Sequence, residues 1–380
     1  MTARIMNAEK AAALFGAVAF LLAAVVCTAP AGPTPDVGGT GFLKGRVHDA
    51  ARAGASLEER FAAARSEAAR SSPSGTFFAA ARFESVSRIH FGRPDGAGPL
   101  TVASGDSRII IRETSGDDPS VREGDEKRTP SPAAWLILSD VKTGRVVDAT
   151  ILDPERTYAF DSQAVFWLGN PPGAESLSFI ETRFQAASDP EVRERMLLVL
   201  SRHNDSRVYG LLRRIALEDR EMDVRRSAVF WLGTIPDPRA PAGLKEIYRL
   251  DRDPEIKERV VFALSLRPEK EAVLELIRIA RKDADDSARR NAVFWLGQKA
   301  SAESVRALKD IIESPGEERQ LKEQAVFAVS QLPPERAVPM LIDIARTHRS
   351  SSVRKKALFW LGQTGDPAAL QLFEEILLKK

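Results

Sequence analysis

The sequence predicts an α-solenoid of about seven two-helix repeats, preceded by a small β-rich module. Three observations carry that prediction. The tetrapeptide FWLG is spelled four times, ending at Gly169, Gly233, Gly297 and Gly362, and takes four of the five tryptophans. Marks taken at the phenylalanine of each related phrase fall at Phe166, Leu198, Phe230, Phe262, Phe294, Phe327 and Phe359, spaced by 32, 32, 32, 32, 33 and 32 residues. A fixed period of this size is the signature of a stacked repeat array. Upstream, between Thr76 and Leu152, the pattern changes to short runs rich in β-branched and aromatic residues.

At the N-terminus, residues 1–31 read as an export signal. Arg4 and Lys10 flank the apolar run "AAALFGAVAFLLAAVVC", and Ala29-Pro30-Ala31 offers small residues for cleavage before Gly32. An uncleaved membrane anchor is the alternative, because the run is only slightly short of the roughly 20 residues a span needs. Residues 32–55, rich in Gly, Pro and Ala, read as a linker. An amphipathic helix is expected over 56–72. Ser56 and Glu59 are spaced as a capping box, and Leu57, Phe61, Ala64 and Ala68 share one helical stripe. Residues 73–152 form the β-rich module. In it, "WLILSDVKTGRVVDATIL" reads as a hairpin turning at Lys142, Thr143 and Gly144, and a polar loop near 114–132 is expected to be disordered.

The repeat array is expected over 155–380. In each unit one helix starts at a cap such as Asp189 or Asp253, with Pro190 or Pro254 in the first turn, where the missing N–H costs nothing. It runs as in "VRRSAVFWLG" and is expected to stop at glycine. The other helix follows a polar or Pro-containing turn, as in "EKEAVLELIRIARKD". On a wheel at about 100° per residue, Val224, Ala228, Leu232 and Trp231 share one face and Phe230 lies nearly opposite. The tryptophans Trp167, Trp231, Trp295 and Trp360, with Gly169, Gly233, Gly297 and Gly362, are therefore expected to form the structural core of the repeats. FWLG occurs in alternate units; Val199, Ala263 and Ala328 fill the tryptophan slot between them, so the full period is two units. The phenylalanines either line an inner binding surface or tilt into the adjoining unit. Four positions before the marks stand Glu194, Arg226, Glu258, Arg290, Glu323 and Lys355, a row that alternates in sign and is expected to neutralise itself.

The phrase in "DVRRSAVFWLG" and "SSVRKKALFWLGQTGDPAAL" resembles the bacterial HEAT-like repeat, including the short variety named after phycobilin lyases. The resemblance implies a binding scaffold. It also implies a structural role between units for the basic residues Arg193, Arg225, Lys257, Arg289, Lys322 and Arg354. The departure is Phe-Trp where that family usually has smaller residues.

Composition limits the chemistry. A net charge of +2 disfavours nucleic acid as a partner. One cysteine, Cys27, and four histidines provide no disulfide framework and no metal-ligand spacing, so neither metal nor cofactor is expected. His203 and His348 read as solvated turn residues, and no catalytic motif occurs. The expected function is a non-catalytic, exported scaffold, periplasmic or secreted, that binds a protein or peptide along its concave face. Phe230, Phe262, Phe294, Phe327 and Phe359 would make contact, with Arg226 and Arg290 at the rim. Membrane attachment would arise only through an uncleaved anchor. The alternative is a phycobilin-lyase-like enzyme or subunit handling a tetrapyrrole or other apolar ligand.

Overall fold

A computed structural model describes residues 40–72, 74–86, 100–104, 107–113 and 130–378. The expected export signal and residues 114–129 of the expected loop lie outside them. The chain divides into two compact units, residues 1–210 and 211–380.

The first unit is built on one sheet. Its strands are β1 (Leu43–Asp49), β2 (Thr76–Ser85), β3 (Leu100–Ser104), β4 (Ser107–Glu113), β5 (Ser131–Asp140), β6 (Val146–Leu152) and β7 (Tyr158–Trp167). They run in the order β3-β4-β7-β2-β5-β6, with β1 paired to β7 in parallel. β2 pairs antiparallel to β5 from Thr76–Asp140 to Ser85–Ser131. The hairpin turns where expected. Asp140 Oδ1 accepts from the Thr143 amide and hydroxyl, both at 2.7 Å, and Gly144 takes φ +73°.

β2 and β5 read as near-continuous apolar runs because both sheet faces are covered. On one face Phe78, Ala80, Leu136, Leu138, Phe160 and Trp167 share a cluster with Phe42 and Leu43. On the other, helix α1 (Leu57–Ser71) buries Leu57, Phe61, Ala64 and Ala68, its capping box formed by Ser56 and Glu59. Phe61 meets Phe77 at 5.4 Å and Phe179 at 5.5 Å, and Trp135 stacks on Phe179 at 5.3 Å. Phe179 belongs to α2 (Gly173–Ala186), which pairs with α3 (Pro190–Arg202). The end of β2 is tied to the end of α3, where Val86 N–H donates to Arg202 O and Asn204 N–H to Glu84 O.

Two boundaries differ from the sequence reading. β1 lies inside the expected linker: Leu43 is buried and pairs with β7 across the sheet. The first FWLG phrase is the end of β7 rather than a helix, so the helical array begins at Gly173 and not at 155. Phe166 and Trp167 are sheet core residues. Trp167 meets Phe42 edge-on at 5.7 Å, and Gly169, at φ +89°, turns the chain after the strand.

The helices that follow are α4 (Arg207–Glu218), α5 (Met222–Thr234), α6 (Ala240–Leu250), α7 (Pro254–Ser265), α8 (Lys270–Lys282), α9 (Asp286–Lys299), α10 (Ala302–Glu313), α11 (Arg319–Ser330), α12 (Pro334–Thr347), α13 (Ser351–Leu361) and α14 (Pro367–Leu378). From α2 onward, the described residues thus hold six helix pairs and a last single helix, one pair fewer than the seven marks imply. Asp189 and Asp253 cap α3 and α7 by accepting from the amides of Glu191 and Glu255. Such caps contribute about 1 kcal/mol each.

Candidate functional site

The second helices of the pairs in the second unit, α5, α7, α9, α11 and α13, carry the repeated phrase. On each of the first four, the residue before the marked phenylalanine is wholly buried: Val229, Val261, Val293 and Val326. That position, with Ala228 and Leu232 and their equivalents, forms the core stripe. The tryptophans lie at the edge of the stripe. Trp231, Trp295 and Trp360 are half-buried, against the expectation that they fill the core. Phe230, Phe262, Phe294 and Phe327 are also half-buried, and Phe359 is 54% exposed.

These rings form an unbroken series. Trp231 meets Phe230 at 4.9 Å, and Phe230 stacks on Phe262 at 6.2 Å. Phe262 meets Trp295 at 5.0 Å, Trp295 meets Phe294 at 5.0 Å, and Phe294 stacks on Phe327 at 6.3 Å. Phe327 meets Trp360 at 4.9 Å, and Trp360 meets Phe359 at 5.0 Å. Each contact lies in the range where aromatic pairs add about 0.5–1.5 kcal/mol beyond burial. The phenylalanines thus lean on neighbouring units while keeping part of each ring open.

The two-unit alternation has a geometric cause. Gly233 faces Ala263, and a Cβ there would stand 2.8 Å from the Ala263 Cβ and 2.9 Å from its Cα. Gly297 faces Ala328 in the same way, at 2.9 and 3.0 Å. α5–α7 and α9–α11 are therefore close glycine–alanine interfaces over which two phenylalanines stack. At α7–α9 and α11–α13 a tryptophan covers the preceding phenylalanine instead. Gly233 and Gly297 sit inside their helices, which continue to Thr234 and Lys299, so they permit close approach rather than termination. Gly362 is a C-cap in right-handed conformation, at φ −62°.

The charged row does not neutralise itself along its length. Arg226 pairs with Asp223 on its own helix and with Glu255 on α7, which removes it as a free rim contact. Glu258, Arg290 and Lys355 have no hydrogen-bond or ion-pair partner among the described residues. The arginines of the basic slot one residue earlier tie their units together. Arg225 Nε donates to Ala216 O at 3.0 Å and its guanidinium binds Asp251; Arg289 Nε donates to Ala280 O at 3.1 Å and pairs with Glu317 at 2.5 Å. Arg354 donates to His348 O and Arg349 O. A further clamp gave no signal in the sequence. Arg267, 1% exposed, binds Glu269 and the carbonyls of Ile235 and Asp237, and Lys299 Nζ donates to Ser265 O and Arg267 O. Desolvation pushes the Lys299 pKa down.

Neither histidine read as a solvated turn residue is one. His348 Nε2 donates to Ile312 O at 2.9 Å, and its Nδ1 accepts from the Ser350 amide. His203 is 1% exposed and stacks on Phe83 at 4.3 Å. Its Nδ1–H donates to Val199 O at 2.9 Å, its Nε2 accepts from the Ser176 hydroxyl at 2.9 Å, and that hydroxyl accepts from Trp135 Nε1–H at 3.0 Å. A serine at this distance from a histidine has the spacing of a nucleophile and its base. Here both residues are buried and the chain of hydrogen bonds is saturated, so it serves as a polar spine of the core. Burial lowers the His203 pKa to about 4.

Two cavities in the first unit have volumes of about 300 and 370 Å³. The larger is lined in part by Arg82, Glu84, Ser131, Asn204 and Asp205. Glu84 is engaged by Asn204 at 2.8 Å and Asp205 by Arg207 at 2.8 Å. Among the described residues no group of three His, Cys, Asp or Glu side chains could hold a metal ion. Nor is any described helix long and apolar enough to cross a membrane.

No curated relative matches the sequence. Among solved structures, the chain is similar to human deoxyhypusine hydroxylase in complex with glycerol, at 21% identity over 56% of this chain and 80% of that one, with a TM-score of 0.25. It is similar to YibA of Escherichia coli at 15% identity over 54% and 77%, with a TM-score of 0.33. It is similar to the CpcE–CpcF complex of phycocyanin lyase from Nostoc at 18% identity over 53% and 80%, with a TM-score of 0.30. None of the three lends this chain an activity. A family model for HEAT repeats matches residues 177–265 and 314–380. That match lies on the helix pairs of 32-residue period and shows HEAT-like repeats in the helical part of this chain.

Proposed function

We propose that the chain is a non-catalytic scaffold whose second-helix face, in residues 211–380, binds a protein or peptide partner. One observation carries the reading: eight aromatic rings, from Trp231 to Phe359, touch in series across the second helices of five successive pairs while staying partly open. A contiguous apolar strip of this kind on a protein surface marks an interaction site more often than chance. The contact residues in this reading are Phe262, Phe294, Phe327 and Phe359, with Phe230 at the near end and Arg290 at the rim. The apolar N-terminal run behind Arg4 and Lys10 supports export, which makes the partner an extracytoplasmic one.

The test is partner capture from an envelope extract by the wild-type chain and by Phe262→Asp plus Phe294→Asp. The double variant should lose the captured protein and keep its helical circular dichroism. A variant that unfolds would make these rings core, and one that captures as well as wild type would remove the face from consideration.

A further inference from the structure

The charges beside the aromatic series differ between its two halves. On α5 and α7, Arg226 lies between Asp223 and Glu255, with Glu258 exposed beyond them. On α9 to α13, Arg290 and Lys355 have no counter-ion among the described residues, and Lys356 sits 5.7 Å over Phe359 and 5.9 Å over Trp360. The one carboxylate in that half of the row, Glu323, is held by the Ser352 hydroxyl and by Arg319 at 3.7 Å. Three cations therefore flank Phe294, Phe327 and Phe359 with nothing to neutralise them. Such a surface is complementary to an acidic ligand.

A second feature lies in the same half. Asn291 and Gln324 precede Phe294 and Phe327 by three residues and are half-buried, and neither has a hydrogen-bond partner among the described residues. A carboxamide offers both donors and an acceptor, the complement of a peptide group. The two amides occupy equivalent positions on adjacent second helices, roughly 10 Å apart at ordinary helix packing. An extended chain advances about 3.3 Å per residue, so every third peptide group would come opposite the next amide. A docked helix has already spent its backbone groups on itself, whereas an extended segment has them to offer.

Resting on the reading that this face binds a partner, we propose that α9, α11 and α13 take an extended, acidic polypeptide segment. Its apolar side chains lie on Phe294, Phe327 and Phe359. Its backbone is held by Asn291 and Gln324, and its carboxylates face Arg290, Lys355 and Lys356.

The test is a selection of random twelve-residue peptides, displayed on phage, against the full chain, followed by fluorescence anisotropy of the recovered peptides. The expected peptides carry net negative charge and aromatic or aliphatic residues. Asn291→Leu plus Gln324→Leu should weaken them at least tenfold, as should N-methylation of alternate peptide nitrogens. Arg290→Glu plus Lys355→Glu should weaken them similarly and turn a fresh selection toward basic sequences. Should a paired variant lose helical circular dichroism, Lys355→Glu alone, at an exposed side chain, reports on charge. Recovery of neutral or basic peptides, of peptides that become helical on binding, of peptides indifferent to the amide pair, or of none at all overturns the proposal. Partner capture that is lost in Phe262→Asp plus Phe294→Asp but survives these substitutions leaves the binding face standing and removes its acidic, extended occupant.

Discussion

His203 illustrates what a dry core does to an ionisable side chain. Its hydrogen bonds to Val199 O and Ser176 Oγ fit the neutral ring, and burial lowers its pKa from 6.5 to about 4. The folded state therefore disfavours the proton that the unfolded chain accepts. This contribution to stability is complete above pH 6.5 and is lost as pH falls toward 4. Between pH 7 and 4.5 the loss is about 2–3 kcal/mol. Guanidinium unfolding at the two pH values should show that difference in the wild type and much less of it in His203→Gln; equal slopes would mean that the ring is not held neutral. Arg267 makes the complementary case, a charge retained in the core because three partners surround it. Arg267→Met removes the donor from the buried Ile235 carbonyl and the partner from Glu269, while the Asp237 carbonyl keeps the Ala240 amide. It should cost roughly 1–3 kcal/mol, the penalty of leaving a buried carbonyl without its donor, read as a lowered urea midpoint. Neither residue announces itself in the sequence, because a histidine or arginine in a turn reads as solvated until the elements packed on that turn are known.

The helix–helix interface is the scale at which the repeated phrase has meaning. Gly233 exists for Ala263, so Gly233→Ala sets the gain in helix propensity, about 1 kcal/mol, against overpacking of roughly 1–3 kcal/mol against the backbone of α7. The variant should be destabilised by up to about 2 kcal/mol on that balance. Adding Ala263→Gly should return part of that loss, a non-additivity visible in a double-mutant cycle of thermal unfolding. Strict additivity would show that the two residues do not meet. The same interfaces show what the sequence could and could not reveal. The 32-residue period, the caps at Asp189 and Asp253 and the capping box of α1 are local signals, and they fold as they read. FWLG at Phe166 is not a local signal, since the same letters end a β-strand. A warning was present five residues earlier: the slot that holds Arg193, Arg225, Lys257, Arg289, Lys322 and Arg354 in the helical units holds Asp161 here. β1 carried no comparable warning, because a short strand among glycines is stabilised by a partner more than 100 positions away in sequence. The tryptophans misled for a geometric reason. A wheel drawn for one buried face places Trp231 near the core, yet a second helix in a stack also buries a flank against its neighbour. Val229 takes that flank and Trp231 is left at the rim of the stripe.

In the second unit as a whole, each element touches only its near neighbours: α13 packs on α11 and α12, and α14 on α12. Stability in such an array is a sum of unit and interface terms rather than a single pooled quantity. A local cavity should then loosen a local stretch. Val353, wholly buried in α13, is the place to make one. Val353→Ala removes two methyl groups from a packed interior, at roughly 1–3 kcal/mol once the residual cavity is counted. The loss falls on α11 and α12, which pack on α13, and on α14, which packs on α12; Leu370, Leu377 and Leu378 of α14 are already exposed at 58%, 79% and 83%. Hydrogen exchange followed by mass spectrometry should therefore quicken in α11 to α14 and stay unchanged in α5 and α7. This pattern would also show that the aromatic face is not one rigid plate. Its α9–α13 half, with the unneutralised cations, could open without disturbing the α5–α7 half, where Arg226 is pinned between two carboxylates. Uniform acceleration from α5 to α14 would instead mean that the unit unfolds as one block, and that a partner seated on either half stabilises both equally.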